Sequence, residues 1–353
     1  MVKNRTYRVP FIWRDVSTYR GELFGAAILS IILYHYFMVF NNAEAPNVVL
    51  RVISKFYNSA VSSVGVDIFI FLSGFGLYYS LSRGGKLTTY YRKRVYRVVV
   101  PYLVCGLIYW AITDFLFLHV SIRQFLLDYS LLSFWVSGTE TLWYISFITL
   151  LYIISPFIYR MTNDKLMLVI GVLCSFGLII LCYFAAPDFF HNIERALQRL
   201  PYFLIGMGAG KQSKNMTSDD EQGIPLWLAC VIVCAVFVKV LVGKTNFVLG
   251  RSFYGYYGIF LIFAYVMVRK AMAGRWNGLF SVFSILGRYS LEIYIVHTAV
   301  KNIMTRLGFS MQNPLIYLLH IAIVIPLVAC VTRLLNILEA PTRGRGNTVK
   351  DNN

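Results

Sequence analysis

The chain has 353 residues, of which 58% are hydrophobic and only 14% charged, and it carries a formal net charge of +17. A soluble protein gives about a quarter of its residues to Asp, Glu, Lys and Arg, so this composition excludes an ordinary soluble domain. The basic residues sit in short clusters between apolar blocks and not along one face or tail, so nucleic acid is not expected as a partner; topology signalling and anionic membrane lipid are.

The apolar blocks run for about 17 to 22 residues, the length that crosses roughly 30 Å of hydrocarbon. Taken in order, they predict spans at 22–40, 61–81, 98–118, 142–159, 166–184, 200–210, 226–242, 254–268, 279–300 and 315–337. The expected class is all-α: a polytopic membrane protein of about ten transmembrane helices. It forms one membrane domain over 1–353, with 338–353 as a polar tail. No small-residue cleavage site follows the first span, which is therefore read as a retained helix. With the N-terminus inside, the inner segments hold 21 Lys and Arg and the outer segments nine, which predicts both termini in the cytoplasm.

Between the spans, two outer segments carry more than a tight turn needs. Segment 119–141 holds His119, Asp128, Trp135, Gly138 and Glu140; segment 185–199 holds Asp188, His191, Glu194, Arg195 and Arg199. Either can rim a polar substrate site, with solvated loop as the default. The inner segment 211–225 reads as a linker, and Gly206-Met207-Gly208-Ala209-Gly210 as close helix packing. The six cysteines lie inside spans without CxxC or zinc spacing. Cys230 and Cys234 share a helix face as small apolar filler, and no metal site is indicated.

A titratable group inside a hydrocarbon-length helix is costly and is usually kept for substrate or proton handling. His35, in Arg20-to-Tyr36 (RGELFGAAILSIILYHY), lies about 20 Å above the inner end of the first span at roughly 1.5 Å per residue. By the same count Asp67, Glu292 and His297 also fall in the outer half. An imidazole held by a carboxylate can take a proton from a hydroxyl, so His35 and Asp67 are the catalytic candidates. The plainer reading is a polar contact between helices for His35 and a structural pair with an arginine for Asp67. On the inner side, Arg92, Lys93, Arg94 and Arg97 enter the third span, with Arg94 and Arg97 three residues apart beside Tyr90 and Tyr91. Guanidinium groups match phosphate oxygens, so this stretch can bind a phosphorylated donor, although positive-inside signalling alone also explains it. Arg20 is expected in the same layer.

Five stretches taken together, in order, carry a resemblance: RGELFGAAILSIILYHY, GVDIFIFLSGFGLYYS, YYRKRVYRVVVPYL, LWYISFITLLYIISP and GRYSLEIYIVH. The chain resembles acyltransferase family 3, the bacterial integral membrane O-acyltransferases, over nearly its whole length. The resemblance implies an acyl-CoA-dependent O-acetyltransferase in the bacterial cytoplasmic membrane. It would move acetyl or another short acyl group from cytoplasmic acetyl-CoA to a glycan or exopolysaccharide hydroxyl on the far side. The family histidine maps onto His35 and its paired basic motif onto Arg94 and Arg97. Where many members have an arginine eleven residues before the histidine this chain has Phe24, and Arg20 is the nearest. Arg20, Arg92, Arg94 and Arg97 are thus expected to bind the donor. Glu140, Trp143, Tyr144, Glu292 and His297 are expected toward the acceptor. The runner-up is a transporter or flippase for a lipid-linked or anionic solute, which also needs intramembrane His, Asp and Glu.

Overall fold

A computed structural model describes residues 13–38, 40, 47–58, 64–216, 248 and 252–344. Among them regular structure is helical throughout, with no strand. The expected 226–242 span with its cysteines, most of the 211–225 linker and the end of the polar tail lie outside the described residues.

Among the described residues five helices are long and apolar enough to cross a membrane: Val64–Leu81, Leu87–Phe117, Trp143–Met161, Lys165–Ala185 and Pro314–Leu338. A sixth is counted if Asn277–Arg288 and Ser290–Arg306 form one broken span. These correspond to the predicted spans at 61–81, 98–118, 142–159, 166–184, 315–337 and 279–300. The expected spans at 22–40, 200–210 and 254–268 are helices too, Arg20–Phe37, Leu200–Asn215 and Ser252–Ala271, without meeting that measure. The first opens on Arg20 and Glu22 and closes on Tyr-His-Tyr, the second has only 16 residues, and the third is rich in Tyr and ends on Arg269 and Lys270.

The chain divides into two compact units. One is drawn from 1–34, 57–84 and 154–288; the other from 35–56, 85–153 and 289–353. In the first unit, Val64–Leu81 is apolar on every side and correspondingly buried. Leu200–Asn215 packs along it. Their backbones approach closely because a Cβ on Gly74 would meet the Phe203 carbonyl oxygen, and one on Gly206 the Phe71 carbonyl oxygen. The Gly206-to-Gly210 run therefore serves packing. Lys165–Ala185 turns Leu166, Leu173, Leu181 and Phe184 outward, as a lipid-facing helix does.

Two features of the second unit depart from a simple reading of its sequence. The basic stretch and the third span are one continuous helical run, Leu87–Phe117, interrupted by π-helical turns at Val95–Val99 and Ala111–Phe117. Segment 119–141 is not a solvated loop but folds into two short helices, Ile122–Tyr129 and Leu132–Ser137, which bury Phe125, Asp128 and Phe134. The second outer segment, in the first unit, behaves alike: Pro187–Leu197 is an amphipathic helix that buries Phe190 and Ile193.

Candidate active site

His35 belongs to the second unit, on the last turn of Arg20–Phe37. Its Nδ1 lies 2.9 Å from Nε2 of His297, and the two rings are parallel with centroids 5.1 Å apart. His297 sits in the middle of Ser290–Arg306 with no exposed surface. A third histidine, His320 of Pro314–Gly344, is also fully buried, its ring centroid 4.7 Å from that of His297. His320 Nε2 is 3.2 Å from the His297 carbonyl oxygen. A carbonyl only accepts, so His320 donates from Nε2 and keeps a lone pair on Nδ1. That Nδ1 and the Nδ1 of His297 are buried without a hydrogen-bond partner among the described residues. Buried groups left so are few in a native structure and ask for an explanation.

The His35–His297 contact needs one donor and one acceptor. Two neutral tautomer arrangements satisfy it, and only one makes a base. If His35 donates from Nδ1, its Nε2 keeps the lone pair that can take a proton. If His297 donates from Nε2, the His35 Nε2 carries hydrogen and can only give.

Asp67 lies in the first unit, buried in Val64–Leu81, where one carboxylate oxygen meets Arg199 Nε at 2.7 Å. Arg199, also buried, caps the start of Leu200–Asn215 and donates from Nη1 to the Arg195 carbonyl at 2.6 Å. The partner on His35 Nδ1 is thus an imidazole, and the partner of the Asp67 carboxylate is a guanidinium. Arg20 is in the first unit as well, its guanidinium lying where a Cβ on Gly76 would fall.

Arg92, Arg94 and Arg97 stand on the Leu87–Phe117 run of the second unit. Two tyrosines tie this stretch to Trp143–Met161: Tyr90 donates to the Tyr152 carbonyl at 3.4 Å and Tyr91 to the Ile153 carbonyl at 3.0 Å. Arg94 and Arg97, three residues apart, do not share one set of neighbours. Arg94 stacks over the Tyr90 and Tyr152 rings at 5.3 and 5.7 Å, whereas Arg97 reaches Glu292 Oε1 at 3.5 Å. The wider π turn at Val95–Val99 rotates Arg97 away from the α-helical register that a spacing of three implies. Arg92 is exposed, and the Arg97 side chain keeps half of its surface accessible while Glu292 is buried.

Of the groups expected toward the acceptor, Glu140 is exposed. Trp143 and Tyr144 are buried, Trp143 against Phe134 at 6.2 Å and Tyr144 edge-on to Tyr294 at 5.4 Å. The chain just before them is held by Asn302, whose Nδ2 donates to Tyr109 and Thr141 hydroxyls at 3.2 and 3.4 Å. His119, Leu131 and Leu142 have left-handed φ of 50°, 64° and 58°, a costly conformation for such residues that tertiary contacts must hold. Among the described residues no group of three His, Cys, Asp or Glu is placed to hold a metal ion.

Sequence reasoning missed His320. The rule that singles out His35, a histidine inside an apolar span, applies equally to it, in the predicted 315–337 span. An arginine partner for Asp67 was foreseeable, but not that it is Arg199, because 132 residues separate them in sequence.

These features define, among the described residues, an all-helical membrane protein with a part-buried histidine pair and a basic helical stretch. A sequence model of the acyltransferase domain matches residues 25–335, nearly the whole chain, and the protein belongs to acyltransferase family 3. It is a membrane acyltransferase by class, and its reaction therefore takes an acyl donor. No curated protein and no solved structure matches the chain.

Proposed function

We propose that this protein moves acetyl, or another short acyl group, from cytoplasmic acyl-CoA to a glycan hydroxyl on the extracytoplasmic face of a bacterial cytoplasmic membrane, with His35 as general base. The observation that carries this reading is the His35–His297 pair: a part-buried imidazole whose Nδ1 is engaged by a fully buried one, so that its tautomer is set by its partner.

In the reaction the acceptor hydroxyl oxygen attacks the thioester carbonyl carbon. His35 Nε2 takes the hydroxyl proton, and the resulting imidazolium keeps its Nδ1–H on His297 Nε2. As the tetrahedral centre collapses, the carbon–sulfur bond breaks and the proton passes from His35 to the departing thiolate, leaving free CoA and an O-acyl ester. His297 takes the orienting role that a carboxylate fills in other acid–base sites. Asp67, the group first expected there, is assigned to its buried pair with Arg199. Attack by His35 itself, through an acyl-imidazole, is the alternative course.

The donor's diphosphate is assigned to the exposed face of the basic stretch, Arg92 and Arg97, with Arg94 stacked on tyrosines behind it. Arg20 stays a candidate donor ligand from sequence. Glu140 and the helices of segment 119–141 are assigned to the acceptor.

Purified protein with labelled acetyl-CoA tests the reading. Release of free CoA that depends on added glycan and disappears in His35→Ala, while CoA still binds, is the expected result. Undiminished release by His35→Ala would overturn the base assignment; solute uptake into vesicles with no CoA release would favour the transporter.

A further inference from the structure

The first unit holds a cleft of about 360 Å³ that the acyl-transfer reading does not use. It is lined by Arg14, Ser17 and Thr18 near the start of the chain, Tyr79 of Val64–Leu81, and Ser213 and Lys214 of Leu200–Asn215, with Met216 beside them. The charge bias assigns all three of these segments to the cytoplasmic side.

Among the described residues the lining is rich in donors and carries no carboxylate. Lys214 gives one of its three hydrogens to the Ser82 carbonyl at 3.1 Å and keeps two. Tyr79 and Ser213 hydroxyls are 2.8 Å apart, a contact that uses one of their two hydrogens and leaves the other to donate elsewhere. The Arg14 guanidinium brings five donors, and the neighbouring Asp15 meets Lys270 at 2.7 Å. Two cations, donating hydroxyls and the space of a small-ligand site call for a compact, acceptor-only anion.

We propose that this cleft binds a phosphate group, with Arg14 and Lys214 neutralising it and the Ser17, Tyr79 and Ser213 hydroxyls donating to its oxygens. The phosphate can be carried by a soluble nucleotide donor or by an anionic lipid headgroup. The proposal rests on the acyl-transfer reading only in taking CoA as one probe.

The test uses the full chain in nanodiscs of neutral lipid and compares wild type with R14Q/K214Q and with Ser17→Asp. Losing charge-assisted hydrogen bonds to one phosphate is expected to weaken binding about tenfold or more. If CoA binding weakens by that much in both variants while 3′-dephospho-CoA binds wild type and variants alike, the occupant is the donor's 3′-phosphate. If CoA binding is unchanged but wild type extracted from phosphatidylglycerol membranes retains anionic lipid that both variants lose, the occupant is a headgroup. Unchanged CoA affinity together with unchanged lipid retention, in variants whose melting matches wild type, overturns the proposal. Ser17→Asp inserts a carboxylate and keeps both cations, so it still tests the site if R14Q/K214Q does not fold. His35→Ala run alongside separates the two readings: it is expected to abolish transfer and leave phosphate binding intact.

Discussion

The two units treat buried charge differently. In the first, acids meet bases: Asp67 with Arg199, Glu22 with Arg269 and the Tyr265 hydroxyl, Asp15 with Lys270. In the second, Arg97 meets Glu292 through one oxygen, and both Asp114 oxygens, Glu292 Oε2 and the Nδ1 atoms of His297 and His320 have no hydrogen-bond partner among the described residues; in the first, Asp67 Oδ2 and the Tyr202 hydroxyl are in the same position. A paired buried charge is costly to break and holds a fold in register. An unmatched one is a liability that a native protein keeps mainly where a reaction or a ligand uses it. What separates the units is the kind of group left over: beside the ion pairs of the first stand a carboxylate oxygen and a phenol, whereas the second leaves a whole carboxylate and two imidazole nitrogens buried without a hydrogen bond among the described residues.

Substitutions can break this contrast. His35→Ala should lower glycan-dependent CoA release about 10²- to 10⁴-fold, the usual share of a general base, with little change in melting. A variant that unfolds instead would place His35 among the structural groups. Arg199→Ala strands a buried carboxylate and should destabilise the protein by about 3–5 kcal/mol in a detergent melt. Removing both charges, Asp67→Asn with Arg199→Gln, should recover much of that loss and retain transfer; stable protein without activity would return Asp67 to the catalytic group. His297→Phe removes the partner on His35 Nδ1 and should cut kcat about 10- to 100-fold, as loss of an orienting partner does at other sites, with KM for acyl-CoA unchanged and partial rescue by His297→Gln. Gly287→Ala tests the first unit with no charge involved. Its Cβ would run into the Gly21 carbonyl oxygen, and a cost of about 1–3 kcal/mol in melting with normal kcat is expected. Arg97→Gln should raise KM for acyl-CoA about tenfold, the smallest of these effects, since a half-exposed guanidinium is partly screened by water.

How much of this was legible beforehand differs by residue. Apolar block length alone marked the five strong helices, because crossing hydrocarbon imposes a length and a composition that nothing else requires. It also marked Arg20–Phe37, Leu200–Asn215 and Ser252–Ala271, which are helices whose polar ends or short length fall below the same measure. The cost of an imidazole in an apolar helix singled out His35, and ordered motifs along the chain gave the family. Depth counting put His35, Asp67, Glu292 and His297 in one layer, yet height along a span says nothing about which side of a helix faces which neighbour.

The sequence by itself thus determined class, family and the histidine worth explaining, since these follow from composition, block length and local pattern. Only the tertiary structure decided partners: His35 with His297, Asp67 with Arg199, Arg97 with Glu292, and His320 closing the histidine cluster. It also decided that segment 119–141 is helical and that a π turn parts Arg94 from Arg97. The physical reason is common to all of these. Periodicity reports how a residue sits on its own helix, whereas a pairing depends on helix rotation and packing between segments up to 262 residues apart, which no local pattern encodes.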